Sequence, residues 1–207
     1  MTHNIWLPLA LLAVSSAAAQ EPRAVAVESG GLVEVEAEDF TSQEKTEVRK
    51  WHIQRTGHAA KASGGAYIEV LPDTRRTHDD KLVAGENFSN TPGAMAVVHY
   101  PIRFTTPGRY HVWVRAYSTG PEDNGIHVGI NGTWPESGRR MQWCEGKNAW
   151  TYASKQRTEK VHCGEPGLIY LDVKEPGVHT VSFSMREDGF DFDKFILATT
   201  AHFVRKD

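Results

Sequence analysis

The chain has 207 residues, long enough to bury a core of its own. Its formal net charge of −3 carries neither the basic footprint of a nucleic-acid binder nor a strongly acidic tail. With 18 glycines, 10 prolines and 6 tryptophans it favours a turn-rich β protein over a helical one.

The first stretch reads as an export signal. Ile5–Ala13 is apolar and Ser15–Ala19 supplies small residues suited to cleavage, although no Lys or Arg precedes the apolar run. That run is too short to cross a bilayer, and no membrane span follows it. Residues 1–19 are therefore expected to be a signal peptide and 20–31 a mobile spacer. Residues 32–200 are expected to form one domain and 201–207 a tail.

Leu32–Phe40 is the first expected strand. In it Glu34, Glu36 and Glu38 share one face, because side chains in a strand alternate. Thr41–Lys61 is polar and reads as a long loop. Ala66–Leu71 is a strand. Pro72–Pro92 has no clean period, and long irregular stretches in compact domains are usually functional or disordered. Further strands are expected at Met95–Phe104, Arg109–Tyr117, Gly125–Asn131, Leu168–Val173, His179–Met185 and Phe190–Ala198, with turn signals at Pro107-Gly108, Asn131-Gly132 and Pro176-Gly177. Many short strands with turns between them indicate an all-β sandwich. Walker, dinucleotide-binding, zinc-finger and Gly-x-Ser-x-Gly motifs are all missing.

Phe190–Leu197 alternates Phe190 and Phe192 on one face with Asp191 and Asp193 on the other. Strict alternation puts Asp193 on the face of Phe195 and Leu197, where a carboxylate needs a partner. The glutamates of the first strand would meet it if the first and last strands lie together. They are then either a solvated face or a group bridged by a hard cation, calcium first. Cys144 and Cys163 are the two cysteines, and in an exported chain they read as a disulfide. A Cys163–His162 nucleophile is the poorer alternative, since neighbours on a strand point to opposite faces.

His111–Tyr117 also has two characters. Val112, Val114 and Ala116 form the obvious core face, while His111, Trp113, Arg115 and Tyr117 form the other. The second face suits a sugar, through stacking on aromatic rings and directed polar contacts, or a second core layer beneath the loops. Arginines at 75, 76, 139, 140 and 186 suggest an anionic ligand, because the guanidinium fork fits carboxylate and sulfate. Glu122/Asp123 and Glu187/Asp188 are the acid pairs that a glycosidase would require.

Five motifs occur in order: Glu36–Phe40, Gly64–Ile68, Pro107–Arg115, Pro176–Val181 and Asp193–Leu197. Together they resemble the carbohydrate-binding modules of families six and thirty-five, which are jelly-roll β-sandwiches of two antiparallel sheets with the galactose-binding-like fold. The resemblance covers about residues 32–199. It implies a structural calcium on Glu36, Glu38 and Asp193. It also implies a sugar site in the loops at one end of the sandwich, matched here by Asn148 and Trp150, with Arg186, Glu187 and Asp188 in the last turn. That turn departs from the asparagine common in such modules. With Trp143, Arg115 and Tyr117 these residues make up the expected ligand set.

The function expected on these grounds is non-catalytic binding of a polysaccharide or oligosaccharide, neutral or anionic, by a secreted, periplasmic or cell-surface protein. A separate glycan-degrading enzyme is the expected partner, with no nucleic acid involved. A small polysaccharide-active hydrolase or lyase, and an adhesive domain binding proteins through its Trp-rich loop, are the alternatives.

Overall fold

The computed structural model describes residues 23–200. The expected signal peptide and tail lie outside the described residues. In chain order the strands are β1 (Ala26–Val27), β2 (Leu32–Glu36), β3 (Ser42–Glu44), β4 (Lys50–Gln54), β5 (Tyr67–Leu71), β6 (Val97–Phe104), β7 (Gly108–Tyr117) and β8 (Gly125–Ile130). There follow β9 (Met141–Gln142), β10 (Trp150–Ala153), β11 (Lys155–Gln156), β12 (Glu165–Pro166), β13 (Tyr170–Val173), β14 (Gly177–Met185) and β15 (Asp191–Ala198). One sheet runs β1-β6-β14-β8-β9-β11-β12, with β3 also on β6. The other runs β10-β7-β15-β5-β4, with β13 on β7 and β2 on β15. This is the expected two-sheet β-sandwich. Its pairings are antiparallel apart from β1 against β6.

The valine face of β7 points inward as its alternation requires: Val112, Val114 and Ala116 are fully buried. They share the core with Ile126 and Val128 of β8 and Val181, Phe183 and Met185 of β14. Phe183 sits in a nest of rings, with centroids 4.8 Å from Phe192, 4.9 Å from Phe195 and 6.0 Å from Tyr100. Aromatic residues that carry polar tips satisfy them inside. Trp51 donates from Nε1 to the Ala96 carbonyl at 2.6 Å, and the Tyr100 hydroxyl donates to Ala37 at 2.6 Å. The disulfide is present between Cys144 and Cys163.

The structure changes three expectations. Residues 41–61 are not one loop. They hold β3, which adds to β6, and β4, which adds to β5, because Trp51 is a core residue that pins the segment to the sheet. The spacer is not free of structure at 25–31: Val25 and Glu28 donate backbone bonds to Pro101 and Arg103, and Ser29 pairs with Leu32. The third change concerns β15. Its register against β7 slips between Phe192 and Lys194, so one extra residue, Asp193, is accommodated as a bulge. Strict alternation therefore fails there. Phe192 and Phe195 both face the core, and Asp193 turns to the outer face with Asp191.

Removing the central ring should test this packing. Phe183→Ala should lower stability by about 3–5 kcal/mol, or roughly 6–20 °C in Tm for a chain of this size, as read by calorimetry.

Candidate functional site

The outer face of β7 and its neighbours carries the first group of interest. Antiparallel pairing sets Trp150 of β10 opposite Tyr117 of β7, and Tyr152 opposite Arg115. Alternation then puts Arg115, Tyr117, Trp150 and Tyr152 on one face. Asn148 takes a left-handed backbone, φ 58°, in the turn before β10, and its N–H donates to the Ser118 carbonyl at 2.9 Å. The short 3-10 turn Gly57–Lys61 lies against this face.

Between them is a cavity of about 400 Å³ lined by Gly57, His58, Lys61, Arg115, Tyr117, Asn148 and Trp150 among others. The Trp150 ring meets Tyr117 and Tyr67 edge-on at 5.5 and 5.3 Å. The Arg115 guanidinium lies 5.6 Å from its centroid. Trp150 Nε1 donates to the His58 carbonyl at 3.1 Å. His58 in turn stacks on Tyr117 at 3.8 Å.

His58 is held from below by Asp191, with Nδ1 and Oδ2 2.6 Å apart. Burial, with Glu69, Asp123 and Asp73 close by, pushes the Asp191 carboxyl up to about 9. Burial also holds the His58 imidazole below its usual range. At neutral pH the pair therefore shares one proton between Asp191 Oδ2 and His58 Nδ1 and carries no net charge.

The acidic corner forms where β2 ends beside the bulge of β15. The Ser63 N–H donates to Asp193 Oδ1 at 2.8 Å and its hydroxyl to Glu36 Oε1 at 2.8 Å. Arg115 donates to Asp193 Oδ2. Lys194 reaches Glu34 at 2.6 Å and Glu36 at 3.0 Å. Burial raises the Glu38 carboxyl, and the charges of Glu36, Asp39 and Asp193 raise it further. Glu36 Oε2 and Glu38 Oε2 are buried without a partner. Among the described residues no three His, Cys, Asp or Glu side chains are already arranged around a metal position. The free oxygens on Glu36 and Glu38 suit a hard cation, whereas both oxygens of Asp193 are engaged by Ser63 and Arg115.

The remaining expected residues separate. Arg186 and Glu187 form an ion pair and line a second, larger cleft of about 730 Å³, which also holds Glu122. Glu122 faces Arg75 and His78, and Glu187 also accepts the Asn124 N–H at 2.9 Å, so both carboxylates of the possible acid pair are committed to other groups.

Two expected ligand residues are structural instead. Asp188 is fully buried and ties distant segments, accepting from Arg49 at 2.7 Å and from the Thr74 N–H at 2.9 Å. Trp143 is 2% exposed and packs on Phe190 at 5.2 Å, so its faces offer nothing to a sugar. His58 and Lys61 were missed, because they lie in a stretch whose period gave no sign of covering β7.

A family model described as Glycosyl hydrolase family 115 C-terminal domain matches residues 26–205. Uncharacterized protein P23 of Formosa agariphila is 58% identical over 189 residues, an alignment covering 86% of this chain and 46% of that protein. The chain thus spans about half the length of that curated relative. A family 35 carbohydrate binding module from Clostridium thermocellum superposes with a TM-score of 0.50 at 13% identity, covering 82% of this chain and 98% of the module. A CBM35 from Paenibacillus barcinonensis gives a TM-score of 0.48 at 15% identity over 81% of this chain and 98% of that one.

The Asp191 carboxyl gives a pH test. A carboxyl raised in the folded state contributes stability at pH below about 4 that is lost as pH climbs toward about 9. Asp191→Asn keeps a hydrogen-bond donor to His58 and has no charge to bury. Its Tm should match the parent near pH 4 and exceed it by roughly 5 °C at pH 8–9, as read by calorimetry across pH.

Proposed function

The chain belongs to the Glycosyl hydrolase family 115 C-terminal domain family, and on that premise we propose that it is a non-catalytic module that binds a polysaccharide in the cavity beside Trp150. The observation that carries this reading is the wall made by Trp150 and Tyr117, with Lys61, Arg115 and Asn148 around the same space. Aromatic rings take the apolar C–H faces of sugars, and the polar groups select hydroxyls and acids. The fold it shares with a family 35 carbohydrate binding module supports the same ligand class. Lys61 among the lining residues, with Arg115 already paired to Asp193, favours a polymer with acidic groups.

The proposed role is that of a binder beside a glycan-degrading enzyme, outside the cytoplasm, where a disulfide persists. The engagement of Glu122 and Glu187 with other groups supports binding without cleavage. Trp150→Ala should weaken binding at least tenfold in calorimetric titrations against neutral, uronic and sulfated polysaccharides. No saturable response to any polymer, with or without calcium, would remove the reading.

The acidic corner is proposed to hold a structural calcium through Glu36 and Glu38, with the Asp193 charge beside them. When bound, the ion would supply the positive charge that these buried oxygens lack. Calcium at about a hundred times its Kd should stabilise by about 2.7 kcal/mol, roughly 5–10 °C in Tm. Glu36→Gln with Glu38→Gln should abolish the calcium-dependent shift. An equal Tm in calcium and in EDTA for the parent chain would rule out the ion.

A further inference from the structure

The larger cleft shares no lining residue with the cavity beside Trp150. One wall is the segment from Arg75 to Asn90. The other is the pair of loops joined by the Cys144–Cys163 disulfide. Its lining contains Arg75, Arg140, Lys147, Arg157 and Arg186 against the carboxylates of Glu122 and Glu187. A chain with a net charge of −3 has gathered a positive excess in one concave place.

Part of this charge is answered within the protein, Arg75 by Glu122, Arg186 by Glu187 and Arg140 by Glu136 at 3.7 Å, and Arg157 lines the cleft beside them. The Arg157 N–H donates to the Arg140 carbonyl at 2.9 Å, so the two residues are fixed side by side. Like charges gathered in one cleft repel. Arg186 joins them: it is 3% exposed, and burial with the charges of Arg157 and Arg140 disfavours its charged form, against the pull of Glu187. The backbone makes room for its guanidinium, since a β-carbon at Gly125 would stand 2.8 Å from Nη1. Arg186 Nε and Arg75 Nε are buried and lack an acceptor. A donor in that state costs free energy that an oxyanion would offset. Lys147 is already spent on Ser118, Gly120 and Trp143, and so holds the wall rather than a ligand.

We propose that this cleft is a second, separate glycan site, which grips an oxyanion of the polymer, a sulfate ester or a uronate carboxylate, between Arg140, Arg157 and Arg186. It goes beyond the Trp150 site and does not depend on it. Phe88, under Arg186 at 5.0 Å, is the cleft's one aromatic lining residue apart from histidines, so charge rather than stacking would select the ligand. The grip should be sensitive to salt.

The test compares the parent, Arg140→Ala/Arg157→Ala and Trp150→Ala by titration calorimetry against a sulfated galactan, a polyglucuronate and a neutral xylan. Both altered arginines are partly exposed, and an unchanged Tm would confirm that the double variant is folded. The double variant should bind one or both anionic polymers at least tenfold more weakly, with neutral binding unchanged. The loss should shrink when salt rises from 50 to 500 mM. The polymer that loses affinity identifies sulfate or carboxylate as the group held. A parent-like affinity for both anionic polymers, or an equal loss on the neutral one, would overturn the proposal. If Trp150→Ala abolishes all binding while the arginine variant binds like the parent, only the Trp150 site stands. The reverse result leaves only this cleft. An Arg157→Lys variant that retains most of the binding would place the effect on charge rather than on folding.

Discussion

One inserted residue decides how the two faces of β15 are used. Because Asp193 is bulged out, Phe192 and Phe195 can both enter the ring cluster around Phe183, and Asp191 and Asp193 both leave it. Two carboxyls thus arrive on the outer face of the sheet beneath other segments, where neither is solvated. Each then requires its own answer. Asp193 takes Arg115 and the Ser63 N–H, and Asp191 shares a proton with His58. The turn Gly57–Lys61 is held down by that second bond, and with it one wall of the aromatic cavity.

The same economy runs through the loop end. Asp188 draws Arg49 and Thr74 onto the final turn, so segments far apart in sequence are closed over the sandwich. The next residues of that turn lie against them: a β-carbon at Gly189, φ +68°, would sit 2.6 Å from Asp73 Cγ, a closeness that only glycine permits. The disulfide fastens the opposite loops. Both cavities are therefore framed by polar anchors set on a rigid apolar core, which leaves their lining residues with limited freedom to relax away from one another.

Much of the sandwich was legible because period two is a strong signal where one face is valine. The β7 run, the strands β6, β8 and β14 of the facing sheet, and the disulfide followed from pattern alone. The bulge did not, since an extra residue is visible only once Lys194 is seen opposite Arg115. The short strands β3 and β4 were hidden in a polar stretch whose decisive residue is the single buried Trp51. Of the expected ligand residues, Arg115, Tyr117, Asn148 and Trp150 do line one cavity. Trp143 and Trp150 show the limit: both are tryptophans of one loop, and only tertiary contacts send one ring onto Phe190 and leave the other at the cavity. Likewise Arg186, Glu187 and Asp188 are consecutive, yet the first two line a cleft and the third is a buried anchor.

β2 and β15 are antiparallel neighbours, and the Thr199 N–H donates to the Gly31 carbonyl at 3.0 Å. Gly31 and Thr199 therefore share one corner of the sandwich. Asp191, beneath the aromatic cavity, is at the other end of β15, roughly 24 Å away at about 3.4 Å per residue. A bulky label attached at Thr199 would sit at that corner, clear of the aromatic cavity.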